Sequence, residues 1–165
     1  MCEPTRNGLN RHDAAWRREV RSWIYETLNR IGYSVAGKIT AFEARPWSIV
    51  LCVPIEGSRI WFKANGASLR HEGELLRLLG EWTGSAVPSP LALDTERGWM
   101  LLPDAGVSLA DTLKSDKDIR HWEAALRNYG ALQFTLNTRA QSLLAVGIPD
   151  QRPEIDLAWR RTHRT

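Results

Sequence analysis

The spacing of apolar residues changes twice along the chain, and those changes divide it. From Asp13 onward, Trp16, Val20, Trp23, Ile24, Thr27 and Leu28 recur close to every 3.6 residues, which predicts an amphipathic helix. Asp13 or Asn10 can cap its start, and Gly32 lies just past its end. From Lys38 the pattern becomes short β-rich runs. Ile39–Ala44, Ser48–Val53 and Arg59–Ala64 predict three strands, the last two joined through Glu56-Gly57-Ser58, a tight hairpin signal. Asn65-Gly66-Ala67-Ser68 breaks the third strand. Leu75, Leu76, Leu78, Leu79 and Trp82 then predict a helix from about Leu69 to Trp82. Two prolines exclude regular helix between Gly84 and Pro90, and Leu91–Asp94 with Trp99–Leu102 predict a second hairpin around Glu96-Arg97-Gly98.

Past Gly106 the signal is helical only. Ser108 can cap a short helix through Leu113, with Asp111 in its first turn. A longer helix runs from Asp118 to about Thr138, with Trp122, Leu126, Tyr129, Leu132 and Leu136 spaced for one buried face. Leu143 and Leu144 fall in a further short helix ending near Gly147, and Ile155–Arg161 starts another. The expected class is α+β: a leading helix, a five-stranded antiparallel sheet with one helix inserted after its third strand, then helices. Residues 1–103 are expected to form the first lobe, and 104–165 part of a second, helical one.

Composition narrows this picture only modestly. The 165 residues are 43% hydrophobic and 25% charged, ordinary for a soluble domain large enough to bury a core. A formal net charge of +3 is too mild to imply a nucleic-acid partner, and the basic tail Arg160–Arg164 reads as a solvated end. Cys52 sits in the apolar run Ile49–Val53 and is expected to be a buried reduced thiol; with Cys2 it makes neither a metal site nor a disulfide framework. No apolar leader and no membrane-length apolar run is visible, so the chain reads as cytoplasmic, without a membrane partner. Eight tryptophans are the unusual feature, and each needs burial together with a partner for its indole N–H.

The candidate chemistry lies between Trp47 and Gly106. Lys63 stands in an apolar strand, and Glu72 lies one helical turn before Leu75 and Leu76 on the next helix, on its sheet-facing side. Glu74 is the competing partner, on a different face. A Lys–Glu pair so placed fixes an ammonium where it can meet phosphate oxygens. Arg45-Pro46-Trp47-Ser48 forms a restricted loop offering the Ser48 hydroxyl and backbone N–H to an anion. The strand from Trp99 to Leu102 leaves through Pro103-Asp104-Ala105-Gly106, where apolar walls and backbone groups can hold a flat base. Arg11-His12-Asp13 imitates a catalytic loop, but a helix-capping aspartate accounts for it.

These pieces, in this order, resemble the N-terminal lobe of the aminoglycoside phosphotransferase and choline kinase family, which has the protein-kinase-like fold. The likeness is carried by Arg45–Ser48, Trp61-Phe62-Lys63-Ala64, His71-Glu72, Val87-Pro88-Ser89-Pro90 and Gly98–Gly106. Tyr129-Gly130-Ala131-Leu132-Gln133 and Leu143–Asp150 resemble the first helices of that family's second lobe, so the likeness spans most of Lys38–Asp150. The resemblance implies ATP or GTP as cofactor, with Lys63 holding its phosphates and Glu72 fixing Lys63. It implies Trp47 and Ser48 closing over the phosphates, Leu102, Pro103 and Asp104 lining the base pocket, and a small-molecule hydroxyl acceptor for the whole enzyme.

It also implies a His-Gly-Asp type loop, a following asparagine and a second aspartate, the groups that carry the proton and magnesium. No such loop stands in this sequence: His121 precedes Trp122-Glu123, and Ile155-Asp156-Leu157 imitates the later motif without it. The expectation is therefore a nucleotide-holding lobe without catalytic or metal-binding residues, from a truncated or frame-shifted chain that exposes apolar faces around Trp122, Leu126 and Leu132 and can self-associate through them. The alternative expectation is a non-catalytic interaction module.

Overall fold

Helix α1, Ala14–Arg30, begins where the Asp13 carboxylate accepts the Ala15 N–H at 2.7 Å, in a computed structural model that describes residues 13–84, 87–112 and 119–150. It ends at Ile31, and Gly32 takes φ 85°, a left-handed turn that glycine adopts without steric cost. The apolar stripe Val20, Ile24 and Leu28 is fully buried.

Three strands follow: β1 Thr40–Arg45, β2 Ser48–Ile55 and β3 Ser58–Asn65. After an inserted helix come β4 Ala92–Asp94 and β5 Trp99–Pro103. Every adjacent pair is antiparallel, in the spatial order β1-β2-β3-β5-β4. The class is α+β, with the five strands and the inserted helix where the hydrophobic pattern puts them; strand ends differ by one or two residues. β2 and β3 turn through Glu56-Gly57, with Gly57 at φ 69° and Ile55 paired to Ser58.

Register explains the core. Phe62 lies opposite Leu101 and Ala64 opposite Trp99, so these four face one side of the sheet. Helix α1 covers that side. Trp23 meets Phe62 and Trp99 edge-on at 5.8 and 5.7 Å, and Trp16 meets Trp99 at 6.5 Å and 90°. Such pairs each contribute about 0.5–1.5 kcal/mol beyond the area they bury. Three of the eight tryptophans are thus spent in one cluster.

Lys63, opposite Met100 and Val50, faces the other side, where α2 (Glu72–Thr83) packs. The helix starts three residues later than its apolar spacing predicts, because Ala67–Leu69 first forms a 3-10 turn. Two glycines let α2 sit close. A Cβ on Gly73 would lie 2.8 Å from Leu93 Cδ2, and one on Gly80 would lie 1.9 Å from Ser89 Oγ.

Beyond β5 lie α3 (Leu109–Thr112), α4 (Ile119–Leu136) and α5 (Ala140–Ala145). The Ser108 hydroxyl accepts the Asp111 N–H at 3.1 Å, the expected cap. The expected buried face of α4 is not buried: Trp122, Leu126 and Tyr129 are exposed, and only Leu132 and Leu136 are half-covered. Helix α4 contacts α2, and in the 3-10 turn that follows α4, Asn137–Arg139, Arg139 lies over the Trp82 ring of α2 at 4.7 Å. Cys52 is also less covered than expected. It is half-buried, because it shares the cleft-side face of β2 with Val50. No helix among the described residues is long and apolar enough to cross a membrane. The expectations for Cys2, Asn10, Arg11, His12, Leu113, Asp118 and Ile155–Arg161 lie outside the described residues.

Phe62 is fully buried at the centre of the aromatic cluster. Phe62→Ala is expected to lower the unfolding free energy by about 3–5 kcal/mol, read from urea denaturation followed by far-UV circular dichroism.

Candidate functional site

Because β2 and β3 pair Ser48 with Asn65, Val50 with Lys63 and Cys52 with Trp61, these side chains share one face of the sheet. On that face, between the sheet and the β5 exit, lies an open cleft of about 440 Å³, inside the range of small-ligand pockets. Ser48, Val50, Trp61 and Lys63 supply its sheet wall, Pro88 one rim, and Leu102 to Ser108 the exit wall. Five predicted residues therefore converge: Ser48, Lys63, Leu102, Pro103 and Asp104.

Glu72 stands behind the cleft and reaches Lys63. The ammonium donates to both carboxylate oxygens, at 2.5 Å to Oε1 and 2.7 Å to Oε2, with both side chains roughly three-quarters covered. Glu72 opens α2, where the helix dipole favours a negative charge. Glu74, the competing partner, is turned toward Arg77, which also bonds Glu81. An ammonium has three N–H donors, so two are committed to Glu72 and one is left for the cleft.

Trp47 does not line the cleft. It is half-exposed in a two-residue turn with Pro46, and its carbonyl accepts the Gly66 N–H at 2.7 Å. That bond ties the turn to the end of β3, so the β1–β2 connection is a short pinned hairpin rather than a long flap. Ser48 is nearly buried within β2 and contributes its side chain to the cleft wall.

Three features escaped the sequence reading. The first is Phe42, an extra residue in β1 where the register slips between Ala41 and Glu43. The bulge lets both Phe42 and Glu43 reach the cleft, and Phe42 meets Trp61 at 4.8 Å. No residue type announces a bulge of this kind.

The second is the anchoring of Trp61. Its indole N–H donates to Asp104 Oδ1 at 3.1 Å, and Arg59 donates to Oδ2 at 3.0 Å while lying over the same ring. The Trp61 bond, followed by the Gly106 N–H and the Arg59 charge, holds the Asp104 carboxyl below the usual carboxylate range. Sequence reading put Asp104 at the base pocket through its backbone; its side chain instead orients an aromatic wall.

The third is Asn65, two residues beyond Lys63 and 2% exposed, whose amide donates to Glu72 Oε2 at 2.9 Å. Its polar type at the end of a strand, with the same parity as Lys63, was the available signal.

The β5 backbone changes partners at the cleft. Leu101 accepts the Leu91 N–H at 2.8 Å, so alternation turns the groups of Leu102 toward β3 and the Pro103 carbonyl toward the side where β4 has ended. Pro103 has no N–H, so at that position the strand offers an acceptor only.

The carboxylates near the cleft are already engaged. Glu43 is paired with Arg45 at 2.7 Å, Glu72 with Lys63 and Asn65, and Asp104 with Arg59 and Trp61. No cluster of three metal-ligating side chains occurs among the described residues. The donor set at the cleft, a lysine ammonium beside aromatic and aliphatic walls, suits an anion and a flat apolar body.

No family model matches this chain, and no curated protein matches it significantly.

Asp104 sets a pH test. Its carboxyl titrates lower in the folded protein than the 3.8 of an unperturbed aspartate, so its contribution to stability is complete above about pH 3.8 and fades as pH falls through the lower folded value. Acid titration from pH 5 to 2 is expected to release Trp61, shifting tryptophan emission. In Asp104→Asn the component that depends on this ionisation should be missing.

Proposed function

We propose that this chain contains the nucleotide-binding lobe of an ATP- or GTP-dependent small-molecule phosphotransferase, of the aminoglycoside phosphotransferase and choline kinase type with a protein-kinase-like fold. The observation that carries the reading is the Lys63–Glu72 pair. A lysine on the third strand is gripped by a glutamate on the helix inserted after that strand, at the edge of a ligand-sized cleft. That is the arrangement by which kinase-like folds hold the α- and β-phosphates.

In this reading the base lies beside the Trp61–Phe42 aromatic pair, with the Pro103 carbonyl accepting from its edge. The phosphates run toward Lys63, whose remaining N–H meets an oxygen in a charge-assisted hydrogen bond. Glu72 keeps the ammonium from reorienting, so little order has to be imposed when the nucleotide arrives. Ser48 lies on the same wall as Lys63, within the phosphate end of the cleft. These 165 residues hold no His-Gly-Asp loop, so the lobe is assigned binding and orientation of the donor nucleotide, and no transfer step is derived through it.

A second reading, an interaction module, is favoured by one observation. Helix α4 presents Trp122, Leu126 and Tyr129, spaced on one face, to solvent. Concentration-dependent self-association, abolished by Trp122→Glu with Leu126→Glu, would support it, and a monomer at all concentrations would remove it.

Calorimetric titration with ATP tests the main reading. Lys63→Ala is expected to weaken ATP binding roughly 10–100-fold, the loss of a charge-assisted hydrogen bond of about 1.5–3 kcal/mol. Unchanged ATP affinity in Lys63→Ala would overturn the assignment.

A further inference from the structure

The Lys63–Glu72 pair has a third member. Asn65 follows Lys63 by two residues on the same face of β3, and its side chain is almost wholly enclosed. Its Nδ2 donates to Glu72 Oε2 at 2.9 Å, the oxygen that Lys63 Nζ also reaches, at 2.7 Å. The amide orientation follows from this contact, since the reversed amide would set a carbonyl oxygen against a carboxylate.

The Asn65 backbone is held on its β5 side as well. Its N–H donates to the Gly98 carbonyl at 2.9 Å, and it sits opposite Ser48 in the sheet register. Among the described residues its Oδ1 is buried without a hydrogen-bond partner. A buried acceptor left in that state is costly, about 1–3 kcal/mol. An apolar residue such as the valine or isoleucine favoured in strands would avoid the cost, so packing alone does not account for an asparagine here.

Glu72 sits in the first turn of α2, with its carboxylate reaching across to β3. Lys63 alone would grip it by a flexible ammonium. Two of its three N–H donors are on Glu72, so the third is the one a phosphate can meet, and it stays aimed at the cleft only while the carboxylate holds its place. Asn65 bonds Oε2 from a rigid strand and holds the carboxylate in that place.

We infer that Asn65 is a positioning residue for the anionic end of the cleft: it fixes the Glu72 carboxylate so that Lys63 can give part of its hydrogen bonding to a nucleotide phosphate without losing its anchor. The inference rests on the nucleotide-binding reading and adds a residue to it. Its consequence is selective. Asn65 governs affinity for the phosphate chain and leaves affinity for the nucleoside unchanged.

Calorimetric titrations with ATP and with adenosine separate the possibilities, alongside the melting temperature of each variant. Asn65→Ala is expected to weaken ATP binding about 5–20-fold, less than Lys63→Ala because Asn65 acts through Glu72, and to leave adenosine affinity within about twofold. In a Glu72→Gln background the same change is expected to have less than a twofold effect on ATP, because the carboxylate it positions has gone. If Asn65→Ala does not fold, Asn65→Ser carries the same comparison with a smaller void. Equal losses for ATP and adenosine, or an undiminished loss in the Glu72→Gln background, would show a purely structural role and overturn the inference. Lys63→Ala distinguishes the two levels. If it weakens ATP binding while Asn65→Ala does not, only the positioning role fails; if Lys63→Ala has no effect on ATP, the nucleotide reading fails.

Discussion

The site depends on how closely α2 lies against the sheet. Lys63 is fixed in β3 by pairs on both sides, to Val50 and to Met100, and cannot move toward a partner. Glu72 must therefore be brought to it. Gly73 beside Leu93 and Gly80 beside Ser89 remove the side chains that would hold the helix away. Both are helical positions where glycine lowers intrinsic stability by about 1 kcal/mol relative to alanine. That local cost is matched by the geometry it permits: a carboxylate, an ammonium and a carboxamide in one contact network at the edge of a cleft.

The sheet also separates two kinds of work. One face is given to stability, where α1 and the Trp16–Trp23–Phe62–Trp99 cluster form the core. The other carries the polar network and the cleft. Strand alternation makes the division automatic: Phe62 and Ala64 point to the core while Trp61, Lys63 and Asn65 point away from it. Trp61 shows how an aromatic residue serves on the polar side, its ring against Phe42 and its N–H on Asp104. Asp104 thereby ties the middle of β3 to the exit of β5, two walls of the cleft.

Much of this was legible in the sequence. The α1 stripe, the Glu56-Gly57 turn and the pairing of Lys63 with Glu72 rather than Glu74 follow from periodicity and helical spacing, and the structure has them. What the sequence hid were features set by relations between elements. The bulge at Phe42 depends on how β1 meets β2, and the Trp61–Asp104 bond joins residues 43 positions apart. The pinning of the Trp47 turn by Gly66, likewise, is a contact that local patterns do not encode. The α4 stripe is the opposite case. Trp122, Leu126 and Tyr129 have the spacing of a buried face, but periodicity states which residues share a face and not whether anything covers it.

The central claim is that Lys63, steadied by Glu72, meets a phosphate. An experimental structure of the chain with ATP bound tests it most directly. The account predicts Lys63 Nζ about 2.7–2.9 Å from a phosphate oxygen and still within reach of Glu72, with the base beside Trp61 and the Pro103 carbonyl. A nucleotide bound elsewhere on the surface, or seated in the cleft with its phosphates directed away from Lys63, would contradict it.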